Sequence, residues 1–219
     1  MLPLRDDIPS RRFPVVTLTL IGLNVLAFLW ELRLGPRLQD ALLLLGIVPV
    51  RYTSPDVAAL FTWGEQALPF LSSMFLHGGW THLLGNLWTL WIFGDNVEDR
   101  LGKIRFVFFY FLCGIAANLT QTLVDPASAV PTIGASGAIS GVLGSYLAFF
   151  PRARILTLIP LFLLFPIIEI PAVFFLVLWF IFQLQSGALA LFTAGTGIAW
   201  WAHIGGFVAG FALARIIKP

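Results

Sequence analysis

Six mostly apolar stretches recur along this chain, and no other feature narrows its fold as much. They cover residues 14–30, 80–94, 104–123, 134–150, 171–184 and 189–217. A helix needs about 20 apolar residues to cross a bilayer, and in lipid its backbone groups must pair within the helix. Composition agrees: 58% of residues are hydrophobic and 11% charged, against roughly 25% charged in soluble domains. Mean hydropathy is +0.91. Such a chain has too little polar surface for a soluble enzyme, a nucleic-acid binder or a disordered protein. A single cysteine, Cys113, excludes an intramolecular disulfide framework and any multi-cysteine zinc site. The expected fold is an all-α polytopic membrane protein, a single domain over residues 1–219 with six transmembrane helices.

Cation placement gives the orientation. With the N-terminus inside, the inner segments hold Arg5, Arg11, Arg12, Arg100, Lys103, Arg105, Arg152, Arg154, Arg215 and Lys218. The outer segments hold only Arg33, Arg37 and Arg51. Lysine and arginine favour the cytoplasmic side, so both termini are expected in the cytoplasm. Phe28-Leu29-Trp30-Glu31 offers no small-residue cleavage site, so the first apolar run reads as a retained helix. The long outer loop, residues 31–79, is expected to lie on the membrane surface. Residues 155–170 are apolar but broken by Pro160, Pro166 and Glu169, and read as an interfacial or dipping segment. Glu169 is expected to be solvated there. Asp95, Glu98 and Asp99 with Arg100, Lys103 and Arg105 are expected to form a solvated turn. The short termini and the lack of a transit peptide point to a prokaryotic plasma membrane.

Polar side chains inside a membrane are costly, so each needs a reason. His82 and Asn86 are four apart in the second span and share a helix face. Ser136 opens the fourth span in Gly134-Ala135-Ser136-Gly137, and His203 lies in the sixth. These three spans all run from outside to inside, which places the four residues at one shallow outer depth. On the fourth span Ser136, Ser140 and Gly144 share one face, flanked by Gly137 and Gly141, and on the sixth Ala202, Gly206 and Gly210 repeat every four residues, as small-xxx-small motifs. Such motifs permit close helix approach, which would bring Ser136 to His203.

A serine hydroxyl becomes a nucleophile when a base takes its proton, and His203 is the candidate base. Ser136 at a helix N-terminus sits where developing negative charge is favoured. His82 and Asn86 could donate to the same oxyanion. No Asp or Glu lies at outer depth in these spans, so a Ser-His dyad is expected rather than a triad.

His82-x-x-x-Asn86, Gly134-x-Ser136-Gly137 and Ala202-His203-x-x-Gly206, in this order and on these spans, resemble the rhomboid intramembrane serine proteases. The run Asn96-Val97-Glu98-Asp99-Arg100-Leu101-Gly102 is similar to the family as well. The resemblance covers nearly the whole chain and implies a six-helix protease cutting single-pass membrane proteins near the outer membrane surface. It implies Ser136 as nucleophile, His203 as base, and His82 and Asn86 in the oxyanion hole. It assigns a supporting part to His77, a lateral-gate role to helix five and a bracing role to the first outer loop. Gly134, Gly137, Gly206 and Gly210 support the site. Position 140 is serine where many members carry an aromatic against the histidine, so Trp200 or Trp201 is expected there.

Other readings place the histidines differently. A haem-binding electron carrier would use His82 and His203 as axial ligands, but that leaves Asn86 and the Gly134-x-Ser136-Gly137 turn without a purpose. An inactive rhomboid-like client-binding protein would share the fold but typically lacks the nucleophile or base. No His-Glu-x-x-His is present for a zinc protease. No cofactor or metal is expected, and the expected partners are the bilayer and single-pass membrane proteins, with no nucleic acid.

Overall fold

The computed structural model describes residues 1–161, 164–192 and 197–217. Lys218, Phe162, Leu163 and residues 193–196 of the sixth predicted span lie outside the described residues. The chain is mostly helical. We number its six long helices α1 (Val15–Leu34), α2 (Trp80–Leu101), α3 (Lys103–Val124), α4 (Ser136–Phe149), α5 (Ala172–Ala190) and α6 (Trp200–Ile216). Each overlies one predicted apolar stretch. The last is shorter than expected, because Leu189 and Ala190 still belong to α5 and α6 begins at Trp200.

Among the described residues three helical segments are long and apolar enough to cross a membrane: Val15–Leu45, Lys103–Val124 and Ala172–Ala190. The other long helices carry the polar residues singled out above. In α2, His82, Asn86, Asp95 and Asn96 dilute the hydropathy. Helices α4 and α6, at 14 and 17 residues, are short. The long helices thus divide into an apolar set and a more polar set that holds the site.

Local sequence explains the boundaries. Gly102 has φ 80° and ends α2 while starting α3. Glycine alone takes that conformation without strain, so two long helices meet at one residue. The α2 helix runs past the predicted span because Glu98 does not sit in a solvated turn. It is 3% exposed, and its carboxylate accepts from Val16 N–H, Thr17 N–H and Thr17 Oγ–H at 3.0, 2.8 and 2.8 Å. It therefore satisfies the free donors at the start of α1, where Pro14 offers no side-chain cap.

The fold is not all-α. The segment expected to be interfacial or dipping, residues 155–170, supplies most of β2 (Arg154–Leu158) and β3 (Ile167–Pro171), strands of an antiparallel sheet completed by β1 (Leu2–Asp6), in the order β1-β2-β3. The β-branched Ile155, Thr157, Ile167, Ile168 and Ile170 suit strands, and Pro160 and Pro166 keep the segment from helix. Glu169 is exposed, as expected, and pairs with Arg154 at 3.2 Å. The sheet lies at the end of the bundle away from Ser136. Asp6 accepts there from Asn96 Nδ2–H at 2.7 Å and from Tyr146 Oη–H, and burial raises the Asp6 carboxyl above its ordinary range. The loop between α1 and α2 folds into short helices, including Leu38–Leu45 and Trp63–Ala67. Arg51, 1% exposed, ties it together by donating to the Leu44 and Glu65 carbonyls.

Candidate active site

Two helix starts make the site. Gly134 has φ 121°, and a Cβ there would stand 2.6 Å from His82 Nε2. Only glycine meets both the backbone and the space requirement. Its N–H donates to the Ser73 carbonyl at 2.8 Å, and two residues later Ser136 opens α4. His203 lies in the first turn of α6, where Gln121 Oε1 of α3 accepts from Ala202 N–H at 3.3 Å.

The two starts meet because α4 and α6 touch backbone to backbone. A Cβ on Gly206 would collide with the Gly137 carbonyl, one on Gly210 with the Gly141 carbonyl, and one on Gly144 with the Phe207 carbonyl. The small-residue faces expected from spacing are the faces in contact.

Ser136 Oγ lies 2.8 Å from His203 Nε2. His203 Nδ1 lies 2.9 Å from Gln183 Oε1 on α5. An amide oxygen only accepts, so Nδ1 carries the proton and Nε2 accepts from the serine hydroxyl. Gln183 was not expected. The sequence offers no carboxylate at this depth, and the third group present is an amide. The signal was there, since a glutamine inside an apolar run also needs a reason. Trp179, one turn before Gln183, and Trp200 flank the His203 ring at centroid distances of 6.4 and 6.1 Å. Trp200 answers one expectation; Trp179 was missed. Ser140 instead donates to the Ser136 carbonyl at 2.7 Å.

On the other side, His82 Nδ1 accepts from Gly78 N–H at 3.4 Å, which leaves Nε2–H as the donor near Gly134. Asn86 Nδ2–H donates to His77 Nε2 at 3.0 Å, and His77 Nδ1–H donates to the Phe75 carbonyl at 3.1 Å. The His77 N–H donates to both oxygens of Glu31, at 3.1 and 3.2 Å. Burial, with the charge of His82 as a lesser cause, lowers the His77 imidazole to about 4. It stays neutral near pH 7 and holds the Asn86 amide in place.

Ser136, His203, His82, Asn86, Gln183 and Trp179 line one cavity of about 1080 Å³. It is at the upper end of the range of ligand sites and has space for a peptide segment and water. Ser136, His82 and His203 are half-buried around it, with Asn86 and His77 buried behind. Among the described residues no group of His, Cys, Asp and Glu could hold a metal ion.

A family model, the rhomboid domain, matches residues 64–219. Rhomboid-like protein 11, chloroplastic, of Arabidopsis thaliana is 42% identical over 33% of this chain and 26% of its own length. Rhomboid protein 1, mitochondrial, of Saccharomyces cerevisiae is 29% identical over 87% of this chain and 50% of its own. The human presenilin-associated rhomboid-like protein, mitochondrial, is 30% identical over 62% of this chain and 33% of its own. The matched regions thus span between about a quarter and half of these relatives.

Proposed function

The chain belongs to the rhomboid family, and on that premise we propose that it is an intramembrane serine endopeptidase working through a Ser136–His203 dyad. One observation carries the reading: a serine hydroxyl 2.8 Å from an imidazole nitrogen, inside a cavity of the helix bundle that His82, Asn86 and Gln183 also line. Hydroxyl and imidazole at this distance are the nucleophile and general base of acyl transfer.

His203 Nε2 takes the Ser136 proton as Oγ attacks a substrate carbonyl. The resulting oxyanion forms at the N-terminus of α4, within reach of the Ser136 N–H, His82 Nε2–H and the Asn86 amide. His203 then protonates the leaving amine, and cavity water hydrolyses the acyl-enzyme with His203 again as base. The substrates are single-pass membrane proteins, entering beside α5. All six long helices cross the bilayer with both termini in the cytoplasm, and the cavity opens near the outer surface. The relatives include chloroplast and mitochondrial proteins, so membership selects a membrane rather than a compartment.

The haem reading finds little support, because both His203 nitrogens are engaged, by Ser136 and by Gln183. The client-binding reading leaves the Ser136–His203 bond idle. The test is labelling of purified, detergent-solubilised protein with a fluorophosphonate probe, comparing wild type with Ser136→Ala. Labelling of wild type alone supports the mechanism. Equal labelling of both proteins, or of neither when both are folded, overturns it.

A further inference from the structure

His203 is gripped from the side away from Ser136 by a helix that carries neither member of the dyad. Gln183 of α5 is 4% exposed, and its Oε1 stands 2.9 Å from His203 Nδ1. Trp179 lies four residues earlier on the same helix and covers the ring. On the same α5, Phe174, Leu178 and Phe182 are exposed, so the buried amide on its inner face needs a partner.

We propose that Gln183 is a positioning residue, whose amide oxygen selects the Nδ1–H tautomer of His203 and so leaves the Nε2 lone pair facing Ser136. The proposal rests on reading Ser136 and His203 as nucleophile and base. A neutral imidazole carries its proton on either nitrogen, and the hydrogen bond to one nitrogen decides which. With the proton on Nε2, the ring would donate to Ser136 and could not take its proton. An acceptor on Nδ1 removes that unproductive form and restrains the ring plane. A carboxylate would do the same but would place a charge inside the bundle. An amide supplies the acceptor without the charge. The acceptor comes from α5, so the base is aligned only while α5 is seated against α6.

The experiment uses the full chain in detergent micelles with ¹⁵N-labelled histidine. The chain has three histidines, and the His203 signals are those lost in His203→Ala. Nitrogen shifts read the tautomer, and fluorophosphonate labelling reads nucleophile activation. In wild type His203 is expected as Nδ1–H. Gln183→Met, similar in length but without the acceptor, is expected to lose that tautomer and label ~10- to 100-fold more slowly, by analogy with the loss when the outer hydrogen-bond partner of a metal-bound imidazole is removed. Gln183→Glu, which keeps an acceptor, is expected to restore the tautomer and most of the rate. A wild-type His203 protonated at Nε2 overturns the inference without any variant. So does Gln183→Met that keeps Nδ1–H, even if labelling slows, because that slowing would be a packing effect. Wild type that labels no better than Ser136→Ala sinks the reading of the site itself, a separate result.

Discussion

The carbonyl oxygen of Gly137 occupies the place where a Cβ on Gly206 would stand. Gly137 follows Ser136, and Gly206 lies three residues after His203. The approach of these two glycines therefore sets the distance between Ser136 and His203. Gly206→Ala should force α4 and α6 apart. Overpacking of this kind costs about 1–3 kcal/mol, and a small shift at the dyad costs far more in rate than in stability. Gly22→Ala on α1 is the control, since a Cβ there meets nothing within 4 Å and the residue lies outside the cavity lining. Thermal midpoint and probe labelling should both fall for Gly206→Ala and neither should fall for Gly22→Ala. Unchanged labelling in Gly206→Ala would refute the link between packing and dyad.

Asn86 tests the oxyanion assignment. Its amide is buried, held by His77, and borders the cavity. Removing one oxyanion donor typically lowers kcat about 100- to 1,000-fold. Asn86→Ala should show that loss with KM close to wild type, because the donor acts on charge present only in the transition state. A raised KM at normal kcat would make Asn86 a ground-state binding residue instead.

His77 gives a pH dependence. Its imidazole is lowered from 6.5 to about 4 in the fold, so between those values the unfolded chain binds the proton and the folded one does not. Its contribution to stability is complete above about pH 6.5 and is lost as pH falls towards 4. A shift of this size corresponds to roughly 3 kcal/mol. His82 and Asn86 border the ring and Glu31 accepts from the His77 main-chain N–H, so the isolating measurement is a comparison. Thermal midpoints at pH 7.5 and 4.5 should drop more for wild type than for His77→Gln. Equal drops would assign the pH dependence to other groups.

What the sequence revealed, and what it hid, follows from the range of the interactions. That Ser136, His203, His82 and Asn86 come together and that the glycine faces meet was legible, because helix spacing is a local property and polar residues stand out in apolar runs. The sheet was not legible. Apolar residues 155–170 fit strand and membrane segment alike, and pairing with residues 2–6 is a contact across the chain. Glu98 was misread for the same reason: its charge suggested solvent, but its partners are the free N–H groups of a helix 81 residues away. Gln183 was visible as a polar residue in an apolar run, but its partner His203 became evident only once α5 and α6 were side by side.

Glu98 also links stability to the site through α1. It holds the start of α1, and Glu31 near the end of that helix accepts from the His77 N–H. His77 in turn holds Asn86. Glu98→Ala leaves donors of Val16 and Thr17 without their acceptor, a loss of about 1.5–3 kcal/mol for a hydrogen bond to a charged group. Glu98→Gln keeps one acceptor oxygen and should lose less. If α1 transmits the disturbance, Glu98→Ala slows labelling several-fold in the wild-type background. In Asn86→Ala it should add little, because the group it would displace is already gone. Such non-additivity is the signature of residues acting through one another. Effects that simply multiply in the double variant would show that α1 supports the fold without reaching the oxyanion hole.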